Sequence, residues 1–381
     1  MLGNRKVILD TYCEVYELLK PIADGEFWDF AKHDVVPGAI YVIGRAQLTN
    51  NLVRVLELVE TNTIKLVFSN PAEGSDTLRH HCDHVYKIGD LVRSRKILLV
   101  SGGDMDAEWP HLLFDSFLPK VLDYGSNLEE IKLADKLYTK IDKPYKFLFL
   151  NGRLRSHRKY LLEQFGVIGL LEQSLWTCLE ERQPTANGDI QLVHNGQNLM
   201  TTVRPCHLLS TEYEVTKYTK NLPSAQTTGF VKHNLFGQEW GDIYLRAEPY
   251  IDTYFSLVTE TVFTYPYSFR TEKIWKPIAI GHPWIAVANK GYYRDMHNLG
   301  FKTFGHLIDE SFDNIDNNQQ RIERIVEVVT DLCQQDLPAF LAATKETCKY
   351  NQQHLAHMSK EVRNNFPEQF SQFIKQHKFD E

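Results

Sequence analysis

Four short apolar runs, each closed by a loop rich in Gly, Asn, Ser or Asp, constrain the N-terminal third of this chain more than any other feature. They cover residues 6–9, 39–43, 64–68 and 96–100. Helix-length stretches separate them. Residues 51–59, for example, put Leu52, Val55, Leu56 and Val59 on one face of a helix. Strands that are apolar at nearly every position suit a sheet covered on both faces, and strands alternating with helices suit parallel pairing through crossovers.

A polar, proline-containing stretch at 138–146 marks a domain boundary. The α/β pattern then restarts, with a strand at 147–150, a turn at 151–153 and a helix at 156–165. Residues 183–240 hold Asn-Gly pairs and many Thr and Ser, and hairpins and loops are expected there. Regular patterning returns with a strand at 254–258, a helix at 272–280 and a strand at 284–288. Residues 319–333 form an amphipathic helix with Ile322, Ile325, Val326, Val329 and Cys333 on its buried face. The stretch 337–378 reads as mostly helical. The expected fold class is therefore α/β, with two facing Rossmann-like domains and a helical C-terminal tail. The expected division is 1–143 for an acceptor-side domain, 144–350 for a donor-side domain and 351–381 for the tail. Ligands in such sheets sit at the carboxyl ends of the strands.

Composition narrows the function classes. The 381 residues carry a formal net charge of -7, so the molecule is no general polyanion binder, although a locally basic groove stays open. The apolar run at 7–9 is too short for a signal-peptide core, and no stretch approaches the roughly 18 apolar residues of a spanning helix. The six cysteines (Cys13, Cys82, Cys178, Cys206, Cys333, Cys348) form no CxxC pair. They read as reduced thiols of a cytoplasmic protein with no membrane span.

Three segments carry candidate chemistry. The first is Thr271-Glu272-Lys273, which opens a short helix that ends at Gly281-His282-Pro283 before a buried strand. Thr271 is a good N-cap, and a helix N-terminus favours an anion such as a diphosphate. Glu272 is placed to accept from ribose hydroxyls and Lys273 to neutralise phosphate. A capped surface helix with an exposed Glu-Lys pair would look the same in sequence. The second segment is the cationic turn after the 147–150 strand, with Asn151, Arg153, Arg155, Arg158 and Lys159. Guanidinium groups bind phosphate oxygens in bidentate fashion, whereas a solvated basic helix face is the ordinary alternative. The third is Glu260, at the end of the 254–258 strand and eleven residues before Thr271.

The order strand, Asn151, Arg158, helix, then strand with Thr259-Glu260, then Thr271-Glu272-Lys273, helix, Gly281-x-Pro283, strand resembles the donor-binding half of the α-1,3-fucosyltransferase family. The match covers roughly residues 146–305 and is patchy between 170 and 250. The family has a GT-B fold, uses GDP-fucose and inverts the anomeric centre, so the resemblance implies a GT-B fold and transfer with inversion from a nucleotide-sugar donor, with the base left open for this chain (UDP- or GDP-sugar). It also implies Arg158 at the donor diphosphate, Glu260 near the sugar or nucleotide, and Glu272 and Lys273 on ribose and phosphates. The chain departs from the family at Glu260-Thr261, where the family usually has Glu-Asn. The chain is also similar to glycosyltransferase-like proteins of phages. The acceptor is accordingly a glycan or small hydroxyl compound, or a hydroxymethylated pyrimidine in DNA. A nucleotide-binding module without catalysis is a further alternative.

An inverting transfer needs a base on the acceptor hydroxyl. Asp104, after Gly102-Gly103, and Glu73, in the turn after the 64–68 strand, are the expected candidates, with His111 and Glu108 behind them. No cofactor is expected to be required, and Mg²⁺ at most assists product release. Asp104-Met105-Asp106 also matches the Asp-x-Asp that holds a metal in single-domain transferases. Adjacent His80 and His81 point apart and make poor joint zinc ligands. A DNA acceptor would find cations at Arg79, Lys87, Arg93, Arg95 and Lys96, and at Lys217, Lys220, Lys232 and His233.

Overall fold

The computed structural model describes residues 5–123, 125–151, 155–178, 182–184, 190–194, 197–203 and 245–379. The chain forms two units. Unit 1 comprises Met1–Pro119, Tyr267–Arg270 and His357–Glu381, and unit 2 comprises Lys120–Pro266 and Thr271–Ala356. The division falls after Pro119, within the helix Phe117–Asp123 and ahead of the polar stretch at 138–146, so the helices Gly125–Ile131 and Asp135–Thr139 belong to unit 2.

Unit 1 is built on six parallel strands: β1 (Val7–Asp10), β2 (Gly25–Phe27), β3 (Ile40–Ile43), β4 (Lys65–Asn70), β5 (Ile97–Ser101) and β6 (His111–Leu113). Their order is β2-β1-β3-β4-β5-β6. The chain adds β2 on one side of β1 and everything later on the other, so the topological switch point lies between β1 and β3. The apolar strand runs have the expected cause. Ile8, Tyr41, Ile43, Leu66, Phe68, Ile97 and Leu99 belong to one core cluster, while Val7, Leu9, Ile40, Val42, Val67, Leu98 and Val100 belong to another. Alternate residues thus face opposite sides, and both sides are covered.

The second cluster is completed from the far end of the chain. Phe366, Phe370, Phe373 and Ile374, on the 40-residue helix Leu337–Gln376, and Phe379 just beyond it pack against these strands. The expected tail is therefore part of the unit 1 core. Its aromatic residues share that face with Val15, Leu19 and Phe114.

Unit 2 holds β7 (Tyr145–Asn151) and β8 (Leu175–Cys178), followed by the short antiparallel strands β9 (Arg182–Pro184), β10 (Ile190–His194) and β11 (Gln197–Val203). After these come β12 (Thr253–Thr259) and β13 (Trp284–Val287). A four-stranded parallel sheet has the order β13-β12-β7-β8. The chain lays β8 on one side of β7, then returns to place β12 on the other. The second switch point is therefore between β7 and β12. Phe147 stacks on Phe255 at 5.4 Å and meets Phe165 edge-on at 5.6 Å, which locks β7, β12 and the helix Ser156–Val167 together. Strands β9–β11 occupy the start of the region expected to hold hairpins. The remainder of that region, with Lys217, Lys220, Lys232 and His233, lies outside the described residues.

No helix among the described residues is long and apolar enough to cross a membrane. Cys13, Cys82, Cys333 and Cys348 are buried free thiols. Cys206 and the side chain of Cys178 lie outside the described residues.

Candidate functional site

The carboxyl ends of β7 and β12 gather an unusual density of buried polar side chains: Asn151, His157, Arg158, Thr259, Glu260, Thr271 and Glu272. Buried polar groups persist only when they are hydrogen-bonded, and here they bond to one another. Asn151 Oδ1 accepts from Thr259 Oγ1 at 2.7 Å, which ties the two strand ends across the switch point.

The helix Ser156–Val167 contributes a guanidinium and an imidazole to the end of β12. Arg158 Nη2 donates to Thr259 O at 2.8 Å and to Glu260 O at 3.3 Å, and His157 Nε2 lies 3.0 Å from Glu260 O. His157 also stacks on Phe263 with centroids 5.2 Å apart. Burial, with Arg158 adjacent, pushes the His157 imidazole down to about 3, so it is neutral at physiological pH and donates one N–H to that carbonyl. Arg158 therefore holds the backbone at the strand end. Arg321 acts likewise further along the loop, donating to Phe263 O at 2.7 Å with its guanidinium 4.5 Å above the Phe263 ring.

That backbone presents Glu260, whose side chain is fully buried. Oε1 accepts from Thr271 N at 3.1 Å and from Tyr292 OH at 3.2 Å, and Oε2 accepts from Thr271 Oγ1 at 2.8 Å. Burial raises its carboxyl above the ordinary range, while Lys273 and the Thr271 donors pull in the opposite direction. Thr271 is the N-cap of the helix Glu272–Ile280, its Oγ1 accepting from Lys273 N at 3.3 Å. Lys273 Nζ reaches Glu272 Oε1 at 2.6 Å and Thr271 Oγ1 at 3.1 Å. Burial pushes the Glu272 carboxyl up, but Lys273 and Lys276 together outweigh it and hold it below the usual range. Glu260 and Glu272 are thus brought to one cluster with Lys273 as the shared cation. The helix ends on Gly281 at φ 74°, where a side chain would collide with Gln352.

Arg155, at the N-cap position of Ser156–Val167, accepts from Lys159 N at 2.9 Å through its backbone carbonyl. Arg153 lies outside the described residues. Tyr292 and His157 were not singled out from the sequence. Tyr292 reaches Glu260 across 32 positions, and no local pattern announces such a contact. His157 sits beside Arg158, and the cationic turn is the signal that could have found it.

Replacing Glu260 by Ala would leave Thr271 N–H, Thr271 Oγ1 and Tyr292 OH without their shared acceptor. We expect Glu260→Ala to lose about 2–3 kcal/mol of stability, against about 1 kcal/mol for Tyr292→Phe, in urea unfolding. Equal losses in the two variants would refute this account of the carboxylate.

The two carboxylates expected as bases lie in unit 1. Asp104 follows β5 with its side chain 65% exposed and its Oδ1 3.7 Å from His111 Nε2. His111 holds its carboxyl below the usual range despite partial burial, which makes it a weak base. The preceding glycines are explained by the protein itself. A side chain at Gly102 would strike Pro71 O and Phe269, and one at Gly103 would strike Ser268 O and Ser75 Oγ. Asp106 pairs with Arg79 at 2.8 Å and accepts from Tyr267 OH at 2.8 Å. Glu73 faces Arg45 at 3.4 Å, and Glu108 accepts from Trp109 Nε1 at 3.0 Å. His80 and His84 stand one helical turn apart with rings 5.0 Å from each other. Among the described residues no three His, Cys, Asp or Glu side chains converge as a metal site would need.

Comparison with protein-family models, with curated proteins and with solved structures returned no match.

Proposed function

We propose that this protein is a glycosyltransferase of the GT-B kind that takes a UDP- or GDP-sugar at the β7/β12 switch point of unit 2. One arrangement carries the reading: the Glu260–Thr271–Glu272–Lys273 cluster at the start of a nine-residue helix, beside the carboxyl ends of two parallel strands. Ligands of open parallel sheets bind at such points, and a helix N-terminus favours a diphosphate. In this reading Lys273 and Arg155 neutralise the phosphates, with Arg153 as a further contact. Glu272, ionised at neutral pH, accepts from ribose hydroxyls. Asn151, Arg158 and Glu260 are positioning residues that fix the strand end. Asp104 and Glu73 are the carboxylates to compare as base. No divalent ion is required for donor binding, and Mg²⁺ serves product release at most.

The test is a thermal-shift panel of UDP- and GDP-sugars, since a ligand that binds only the folded state raises the melting temperature. Lys273→Ala is expected to weaken the binding nucleotide by about 1.5–3 kcal/mol, the worth of a charge-assisted hydrogen bond. A panel with no shift, or a Lys273→Ala protein with unchanged affinity, would remove the donor site. Slow donor hydrolysis separates an enzyme from a nucleotide-binding module. An affinity for hydroxymethylated DNA that falls steeply with salt would mark the phage-type acceptor instead of a glycan.

A further inference from the structure

Unit 1 has its own switch point, between β1 and β3, and two large aromatic rings stand in solvent beside it. Tyr12 is 72% exposed and Trp28 is 58% exposed, whereas Trp109, Trp275 and Trp284 are fully buried. The two rings leave neighbouring strand ends. Strands β1 and β2 pair in parallel with Asp10 opposite Phe27, so Tyr12 and Trp28 are the second and first residues past that pair.

The backbone under both rings is fixed by buried polar groups. Thr11 N donates to Phe27 O at 2.9 Å. Asp10, fully buried, accepts from Tyr12 N at 2.9 Å on one oxygen and from Gly44 N at 3.0 Å on the other. Gln47, also buried, donates to Trp28 O at 2.7 Å and accepts from Phe30 N at 2.9 Å. Exposed aromatics on a rigid backbone lose little conformational freedom when a ligand stacks on them.

We propose that Tyr12 and Trp28 form a stacking platform for a neutral carbohydrate at the carboxyl edge of the unit 1 sheet. An aromatic face accepts either a nucleobase or the apolar C–H face of a sugar ring, and the local charge decides between them. Residues 10–34 carry seven carboxylates against two lysines, and the charge stays negative when Arg54, which donates to Ala31 O and His33 O, and Arg45, next to Gly44, are added. That field repels a phosphate backbone, while carboxylates accept hydrogen bonds from sugar hydroxyls. Lys32 Nζ lies 4.6 Å from the Trp28 ring centroid and pairs with Asp29, so it covers one face of the indole and the sugar takes the other. A buried, unpartnered amide lies further along the same edge. Asn70, at the end of β4, is 1% exposed, and its Nδ2 has no partner among the described residues. β4 is two strands from β1, a separation of about 10 Å, which matches an oligosaccharide rather than one ring. The platform does not depend on the nucleotide reading of unit 2, and saccharide binding is expected with no nucleotide present.

The experiment applies the full chain to a printed array of neutral and acidic glycans. The strongest neutral ligand is then titrated as the free oligosaccharide by calorimetry, against wild type, Tyr12→Ala and Trp28→Ala. Both side chains are exposed, so both variants should keep the wild-type melting temperature, and any nucleotide-induced thermal shift should be unchanged. Each is expected to bind the oligosaccharide about tenfold more weakly or worse, with Trp28→Phe recovering part of the loss. The proposal is overturned if no neutral glycan binds, or if binding survives both alanine substitutions. It is also overturned if the ligand that needs Trp28 is a DNA strand whose affinity collapses with salt, or if Trp28→Ala instead dissolves a self-associated form on size exclusion.

Discussion

Ending the chain at Ala356 is expected to abolish cooperative folding of unit 1. The helix Leu337–Gln376 changes allegiance along its length, with residues up to Ala356 in unit 2 and those from His357 onward in unit 1. The second part brings Phe366, Phe370, Phe373 and Ile374 to the face of the six-stranded sheet that carries Val7, Leu9, Ile40, Val42, Val67, Leu98 and Val100. Phe114 meets Phe366 at 4.8 Å, so the contact is side chain against side chain. A single buried Phe→Ala change costs about 3–5 kcal/mol. Removing four large side chains at once exceeds the whole stability of a typical domain, about 5–15 kcal/mol. A parallel sheet with one face partly stripped also exposes apolar surface, so the truncated protein should aggregate or bind hydrophobic dyes. The graded form of the test is Phe370→Ala, fully buried in the native protein, expected to lose about 3–5 kcal/mol in urea unfolding. A truncated chain that melts as sharply and as high as the full-length protein would defeat this view of the C-terminus.

What could be read in the sequence and what could not divides by range. The bounds of Glu272–Ile280, with Thr271 as N-cap and Gly281 closing it, were legible because capping is a matter of a few neighbouring residues. So were β1, β3, β4, β5, β7, β12 and β13, since a buried parallel strand announces itself by its own apolar run. β2, β6 and β8 went unseen. β2 and β6 are three residues long, and β6 is half-buried throughout, leaving no run to detect. The cationic turn around Arg158 was visible, but its occupant was not. The carbonyl that Arg158 binds most closely is 101 positions away, and nothing near residue 158 reports it. Gly102 and Gly103 show the converse. Two glycines at a strand end mark a close approach, and what approaches them is Pro71, Ser75 and residues 268–269 of the same unit. The division of the long C-terminal helix between units was hidden for the same reason: its amphipathic pattern says that one face is covered, not by which sheet.

Acidification should unfold this protein well before its carboxylates alone would require, and the cause is two buried imidazoles. His282 donates one ring N–H to Thr253 O at 2.9 Å, and its other nitrogen lies 2.9 Å from Ser256 Oγ, an arrangement that uses the neutral ring completely. Burial holds its pKa at about 3, and burial together with Arg158 holds that of His157 at about 3. In the unfolded chain each returns to its ordinary value near 6.5. Below that pH the unfolded state binds protons that the native state refuses, so stability is complete above about pH 6.5 and falls as pH drops toward 3. Each ring loses roughly 2 kcal/mol between pH 6.5 and 4.5, or about 4–5 kcal/mol for the pair. Glu260 acts with the opposite sign. Its raised carboxyl contributes stability that is present at low pH and is lost as pH rises through its folded value, so acidification returns part of the loss. Glu272, held low, begins to destabilise only below the ordinary carboxylate range. The measurement is urea unfolding at pH 7 and pH 4.5 for wild type and His282→Asn. The variant should be less stable at pH 7, because Thr253 O and Ser256 Oγ lose their partners, yet should lose about half as much on acidification. An acid-induced loss of the same size in both proteins would show that His282 is not one of the groups that take up protons on unfolding.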